Sequence, residues 1–97
     1  MKKKKQSKLY EWQTRTLQGK EVCRCGNVAD TVDHIVPQML MKMFLRHEDI
    51  YEDEENLEFM CKTCNKIKNT NLDYKNPKTI SLLKKYIQKL EEELKQI

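Results

Sequence analysis

The chain has 97 residues, of which 35% are charged, and a formal net charge of +4; its mean hydropathy is -0.87. A chain of this size supports one domain with a small core, so a staple such as a structural metal is expected. No apolar run approaches the ~20 residues needed to cross a bilayer, and the first lysines lead into Gln6, Ser7 and Lys8 instead of an apolar stretch, so no membrane anchor or secretory leader is expected and the setting reads as cytoplasmic and reducing.

Lys2, Lys3, Lys4 and Lys5, followed by Lys8, make residues 1–8 a basic arm, either a solvated tail or a phosphate-contacting one. Ser7 to Gln18 reads as a short helix with Leu9, Trp12 and Thr16 on one side and Gly19 as its stop; Trp12 reads as a core anchor rather than a base-stacking platform. In Cys23-Arg24-Cys25-Gly26-Asn27, Gly26 and Asn27 supply a turn, and Val28 to Val36 returns as a strand. The expectation is a hairpin that starts at the cysteines and ends at Asp33-His34.

After Pro37, Gln38 to His47 shows helical spacing at Leu40, Met43 and Phe44 with neighbouring Met39; His47 has no carboxylate or cysteine at ligand spacing and reads as a helix-end residue. The acidic stretch Glu48 to Glu55 lacks the central glycine of a calcium loop and reads as a solvated connection. Leu57 to Met60 alternates like a short strand. Cys61 to Asn71 then forms a helix on which Asn65 and Lys68 share a face. Asn76-Pro77-Lys78-Thr79 opens a last helix, where Ile80, Leu83, Ile87, Leu90, Leu94 and Ile97 form a heptad stripe that packs on the domain or serves self-association. The division expected is the arm at 1–8, a compact domain at 9–75 and the terminal helix at 76–97.

The polar residues suggest two metal sites. Two close cysteine pairs in a reducing compartment read as ligands for one structural Zn2+ per chain through Cys23, Cys25, Cys61 and Cys64; four thiolates close the tetrahedron and leave no open position. The other site is chemical. Phosphodiester hydrolysis needs a base for water and a cation for the charge that gathers in the transition state. His34, with an unperturbed pKa of about 6.5, is suited to the first, and Asp33 with the amide oxygen of Asn65 offers hard ligands to Mg2+ or Mn2+. Lys66 and Lys68, with the arm lysines, make a phosphate backbone the natural partner.

Val32-Asp33-His34-Ile35-Val36-Pro37, then Asn56 opening the second strand and Asn65 in the following helix, resemble the HNH endonucleases and their ββα-metal motif, over about Cys23 to Lys68. The first of these stretches is also similar to the corresponding strand in the HNH domain of RNA-guided CRISPR nucleases. The four cysteines resemble the zinc clamp of small stand-alone HNH proteins common in phages and prophages, except that only Arg24 separates the first pair where two residues are usual. The resemblance implies an α+β fold, a small ββα-metal domain with flanking amino- and carboxy-terminal helices. It assigns His34 as general base and has Asn56 hold the His34 ring by a hydrogen bond. The function it implies is a metal-dependent DNA endonuclease, nicking or cutting both strands. The alternative is a non-catalytic, zinc-stapled nucleic-acid-binding module; a third reading gives the terminal stripe a protein-interaction role.

Overall fold

The computed structural model describes residues 7–44 and 52–96, so the expectations for Lys2 to Lys5, His47, the start of the acidic stretch and Ile97 lie outside the described residues. The first helix, α1 (Lys8–Thr16), starts where predicted because the Ser7 hydroxyl accepts the Tyr10 N–H at 3.1 Å. Its half-buried residues are Leu9, Trp12 and Thr16, the face its spacing indicates. Gly19, at φ 67, allows the chain to turn away after it.

Strand β1 (Thr31–His34) pairs antiparallel with β2 (Leu57–Met60), placing Asp33 opposite Glu58 and His34 opposite Leu57. This corrects the expected hairpin. The cysteine pair forms its own small turn, closed by a single bridge between Val22 and Val28 and by the Cys23 N–H on the Asn27 carbonyl at 2.8 Å, with Gly26 at φ 96. β1 takes its partner from the far side of the acidic stretch instead. Alternation along the strands then separates two faces. Phe59, opposite Val32, stacks on Trp12 with ring centroids 4.5 Å apart, which fixes α1 on one face. Helix α3 (Lys62–Lys68) lies on the other, where Asn65 reaches Thr31 and Lys68 reaches Asp33.

Helix α2 (Gln38–Phe44) follows Pro37 and buries Met41, with Leu40 half-buried. Met39 and Met43, which the apolar spacing grouped with Leu40, are exposed. Helix α4 (Pro77–Lys95) opens with the Asn76 side chain accepting the Lys78 N–H at 3.0 Å and with Pro77 in its first turn, where a missing N–H costs nothing. It packs on the domain through Leu82 and Tyr86, backed by Leu83 and Leu90, against Ile35, Val36 and Met41, and Thr79 is buried on the same helix with its hydroxyl on the Asp73 carbonyl. The buried face is therefore rotated from the heptad stripe, leaving Ile80, Ile87 and Leu94 exposed. A second apolar cluster joins Ala29 and Met60 to Cys23 and Cys61 beneath the cysteine turn.

The described part of the acidic stretch is not a solvated loop. Glu52 accepts the Leu9 N–H at 2.8 Å, and Glu54 accepts the Trp12 indole N–H at 3.3 Å, so this segment holds α1. Asp53 holds α4, accepting from Lys85 at 2.6 Å and from the Tyr86 hydroxyl at 3.1 Å. Burial pushes the Asp53 carboxyl up, but Lys85, the Glu55 N–H and the Tyr86 hydroxyl together hold it below the usual carboxylate range.

Candidate functional site

The four cysteines converge. Their sulfurs all lie within 4.8 Å of one another, and those of Cys25 and Cys61 are 3.6 Å apart. Tetrahedral zinc with Zn–S bonds of about 2.3 Å sets its sulfurs about 3.8 Å apart, so the cluster fits that ion. The short Cys23-Arg24-Cys25 spacing is accommodated because Gly26 turns the chain sharply, its N–H on the Cys23 carbonyl at 2.9 Å. Cys61 also caps α3, its sulfur accepting the Cys64 N–H at 3.4 Å. Burial pushes the Cys23 thiol up, yet backbone and side-chain hydrogen bonds from Cys25 and Cys61 overcome it and bring the group down to about 7. Hydrogen bonding with Cys61, Cys25 and Cys23 pushes Cys64 up to about 12, as expected where crowded sulfurs share a proton. A bound cation would replace that proton.

The second site is an open cleft of about 260 Å³ at the end of β1. Asp33 and His34 come to it from the strand, Pro37 and Gln38 from the turn into α2, and Asn65 and Asn69 from α3 and its carboxyl end. Three of the four residues expected for the chemistry, Asp33, His34 and Asn65, therefore line one cavity.

Asn56, the fourth, is not part of the cleft lining. It is fully buried, and its amide clamps the backbone just past the strand: the Val36 N–H donates to Oδ1 at 2.8 Å, and Nδ2 donates to the Val36 carbonyl at 2.9 Å. Its own carbonyl accepts the Ile35 N–H at 2.8 Å. Asn56 thus fixes the chain that leaves His34 by gripping its main chain at Ile35 and Val36.

Asn65 is oriented by Thr31, a residue whose sequence neighbourhood gives no hint of the role. The Thr31 hydroxyl donates to the Met60 carbonyl at 2.6 Å, so its oxygen accepts from Asn65 Nδ2 at 3.0 Å. That assignment makes Oδ1 the acceptor end of the Asn65 amide. Asn69 is a further cleft residue that the sequence pattern did not bring out. It sits one helical turn after Asn65, which is the signal that places both on one side, and it holds φ 52, a conformation asparagine tolerates better than most side chains.

Lys66 is exposed on α3, while Lys68, grouped with it as a phosphate-facing residue, is turned inward. Its side chain is 6% exposed; the ammonium lies 2.9 Å from Asp33 Oδ2 and donates to the His34 carbonyl at 3.0 Å. Across the sheet, Glu58 is bound by Arg24 at 2.7 Å and by Asn76 Nδ2 at 3.0 Å, and Arg24 reaches on to Asp73 at 2.8 Å. Arg24 therefore links the cysteine turn to β2 and to the approach to α4. Burial, with the Asp33 charge adding to it, pushes the Glu58 carboxyl up against the pull of Arg24.

Two antiparallel strands, a helix lying across them and a polar cleft between, all tied together by a four-cysteine cluster that can hold a zinc, define a small α+β domain of the ββα-metal class. The family model for the HNH endonuclease matches residues 21–71, and the chain belongs to that family. Comparison with curated proteins and with solved structures gave no match. Among the described residues, no helix is long and apolar enough to cross a membrane.

Proposed function

We propose that this protein is a divalent-metal-dependent endonuclease that hydrolyses phosphodiester bonds in DNA. The observation that carries the reading is the convergence of Asp33, His34 and Asn65 on one open cleft, with the strand end that presents Asp33 and His34 clamped by Asn56. His34 acts as general base, taking a proton from the attacking water. Asp33 and Asn65 would hold Mg2+ or Mn2+, with Asn69 lining the same cleft; the cation supplies Lewis-acid stabilisation of the charge that develops on the phosphate. Thr31 and Asn56 are positioning residues, the first for the Asn65 amide and the second for the backbone that follows His34.

The cysteine cluster takes one structural zinc, which joins the turn before β1 to the start of α3, so the two elements that meet at the cleft are held by a common staple. Phosphate contacts come from Lys66, exposed on the helix that carries Asn65, and from the basic arm of Lys2, Lys3, Lys4 and Lys5. Purified protein incubated with supercoiled plasmid should convert it to nicked or linear form with Mg2+ or Mn2+ and leave it intact when a chelator removes those ions. Tight DNA binding with no cleavage under any divalent ion would favour the non-catalytic binding module.

A further inference from the structure

Lys68 has its ammonium 2.9 Å from Asp33 Oδ2 and 3.0 Å from the His34 carbonyl, buried to 6% exposure. An ion pair this sheltered is screened little by solvent, so the lysine charge acts on Asp33 at close to full strength. The asparagines of the cleft that could face a cation, Asn65 and Asn69, are neutral amides. Glu58, which lies opposite Asp33 on the neighbouring strand, is already committed to Arg24 and Asn76. Asp33 and Lys68 therefore cancel, and the described residues of the cleft offer no net negative charge to attract a divalent ion.

We propose that Lys68 is a built-in counter-charge that weakens cation binding to the free protein and makes it depend on the phosphate of bound DNA. A divalent ion entering such a site brings two positive charges next to a buried third. The phosphodiester supplies the missing negative charge, so cation and DNA each strengthen the binding of the other, by the same factor in both directions. Lys68 also donates to the His34 carbonyl and so holds the strand end there, which makes it a positioning residue. The inference rests on the reading of Asp33 as a cation ligand.

The test is Mn2+ binding to the zinc-loaded full chain, followed by the electron paramagnetic resonance signal of free Mn2+, with and without a duplex carrying non-cleavable phosphate linkages. Wild-type protein should bind Mn2+ weakly alone and at least tenfold more tightly in the complex. Lys68→Met removes the charge and keeps the stem; it should bind Mn2+ about tenfold more tightly without DNA, and the gain on adding DNA should shrink accordingly. Lys68→Gln, which keeps a polar end, should behave the same way, and Lys68→Arg should restore wild-type affinity. A merely structural role for Lys68 would instead lower Mn2+ affinity in all three. Unchanged or weaker binding by Lys68→Met and Lys68→Gln, with zinc content and circular dichroism intact, would overturn the counter-charge. If Asp33→Ala leaves Mn2+ binding to the complex unchanged, Asp33 is not a cation ligand, and the functional reading fails together with this inference.

Discussion

Replacing Asn56 with alanine should be among the most damaging single changes outside the cysteine cluster. The side chain is fully buried and satisfies both the N–H and the carbonyl of Val36, itself 2% exposed, at 2.8 and 2.9 Å. Asn56→Ala leaves both groups without a partner, and each buried unsatisfied polar group costs about 1–3 kcal/mol. The sum is about 2–6 kcal/mol, reduced somewhat where water enters the space left by the amide. Small domains have about 5–15 kcal/mol in total, so the variant should be visibly less stable while still folded at low temperature. Because the clamp holds the backbone after His34, cleavage should fall as well, and added divalent metal should not restore it. Equilibrium urea unfolding of zinc-loaded protein measures the first effect, and single-turnover cleavage across a metal titration measures the second. A stability loss below about 1 kcal/mol would show that the clamp matters little and refute the reasoning.

Three further outcomes follow from the same structure. Protein purified without added metal should contain about one zinc per chain by elemental analysis, and Cys61→Ser with Cys64→Ser should lose both the zinc and the fold, since binding of order 10 kcal/mol is at stake in small zinc domains. Leu82→Ala, on the buried face of α4, should cost about 2–5 kcal/mol, whereas Ile80→Ala, half exposed on the predicted stripe, should cost well under half of that in the same urea titration. Deleting residues 1–8 should weaken DNA binding and flatten its dependence on salt, by about 0.9 in log–log slope for each phosphate that the arm neutralises; fluorescence anisotropy across a salt series checks this.

The parts of the fold that local chemistry decides could be read from the residues. Ser7 and Asn76-Pro77 are start signals in their own sequence windows, and Leu9, Trp12 and Thr16 mark the inner face of α1 because the rest of that helix is polar. Non-local pairing could not be read in this way. Nothing near β1 says that its partner is Leu57–Met60, beyond the acidic stretch, rather than the adjacent cysteine turn. In α4, two apolar stripes overlap, and spacing alone cannot say whether Leu82 and Tyr86 or Ile80 and Ile87 face inward; the core presented by Ile35, Val36 and Met41 decides.

The site shows the same division. Asp33, His34 and Asn65 carry recognisable chemistry, and the structure brings them to one cleft. How other residues orient them was hidden, even for Asn56, which the resemblance had singled out, because these side chains act through distant backbone or charge. Asn56 grips Val36 across 20 positions, Thr31 aligns Asn65 across 34, and Lys68 reaches Asp33 from the end of α3. A lysine read as a phosphate contact by its neighbours in sequence is turned inward by a carboxylate that only the fold brings close. The acidic stretch misled in the opposite direction: its charge suggested solvent, while Asp53 and Glu52 are anchors for the two flanking helices.

The central claim is that His34 performs proton transfer beside a cation held by Asp33 and Asn65, and single-turnover cleavage of supercoiled plasmid tests it most directly. His34→Ala touches no cysteine and removes only the proposed base, so zinc content, unfolding midpoint and DNA affinity should stay near wild type while the rate falls about 10²–10⁴-fold. Asp33→Ala and Asn65→Ala should also lose activity, but raising Mg2+ or Mn2+ should return part of it, because their defect lies in holding the ion. The account predicts that added metal leaves His34→Ala slow. Cleavage by His34→Ala at the wild-type rate, or its recovery by metal to the same extent as Asp33→Ala, would contradict it.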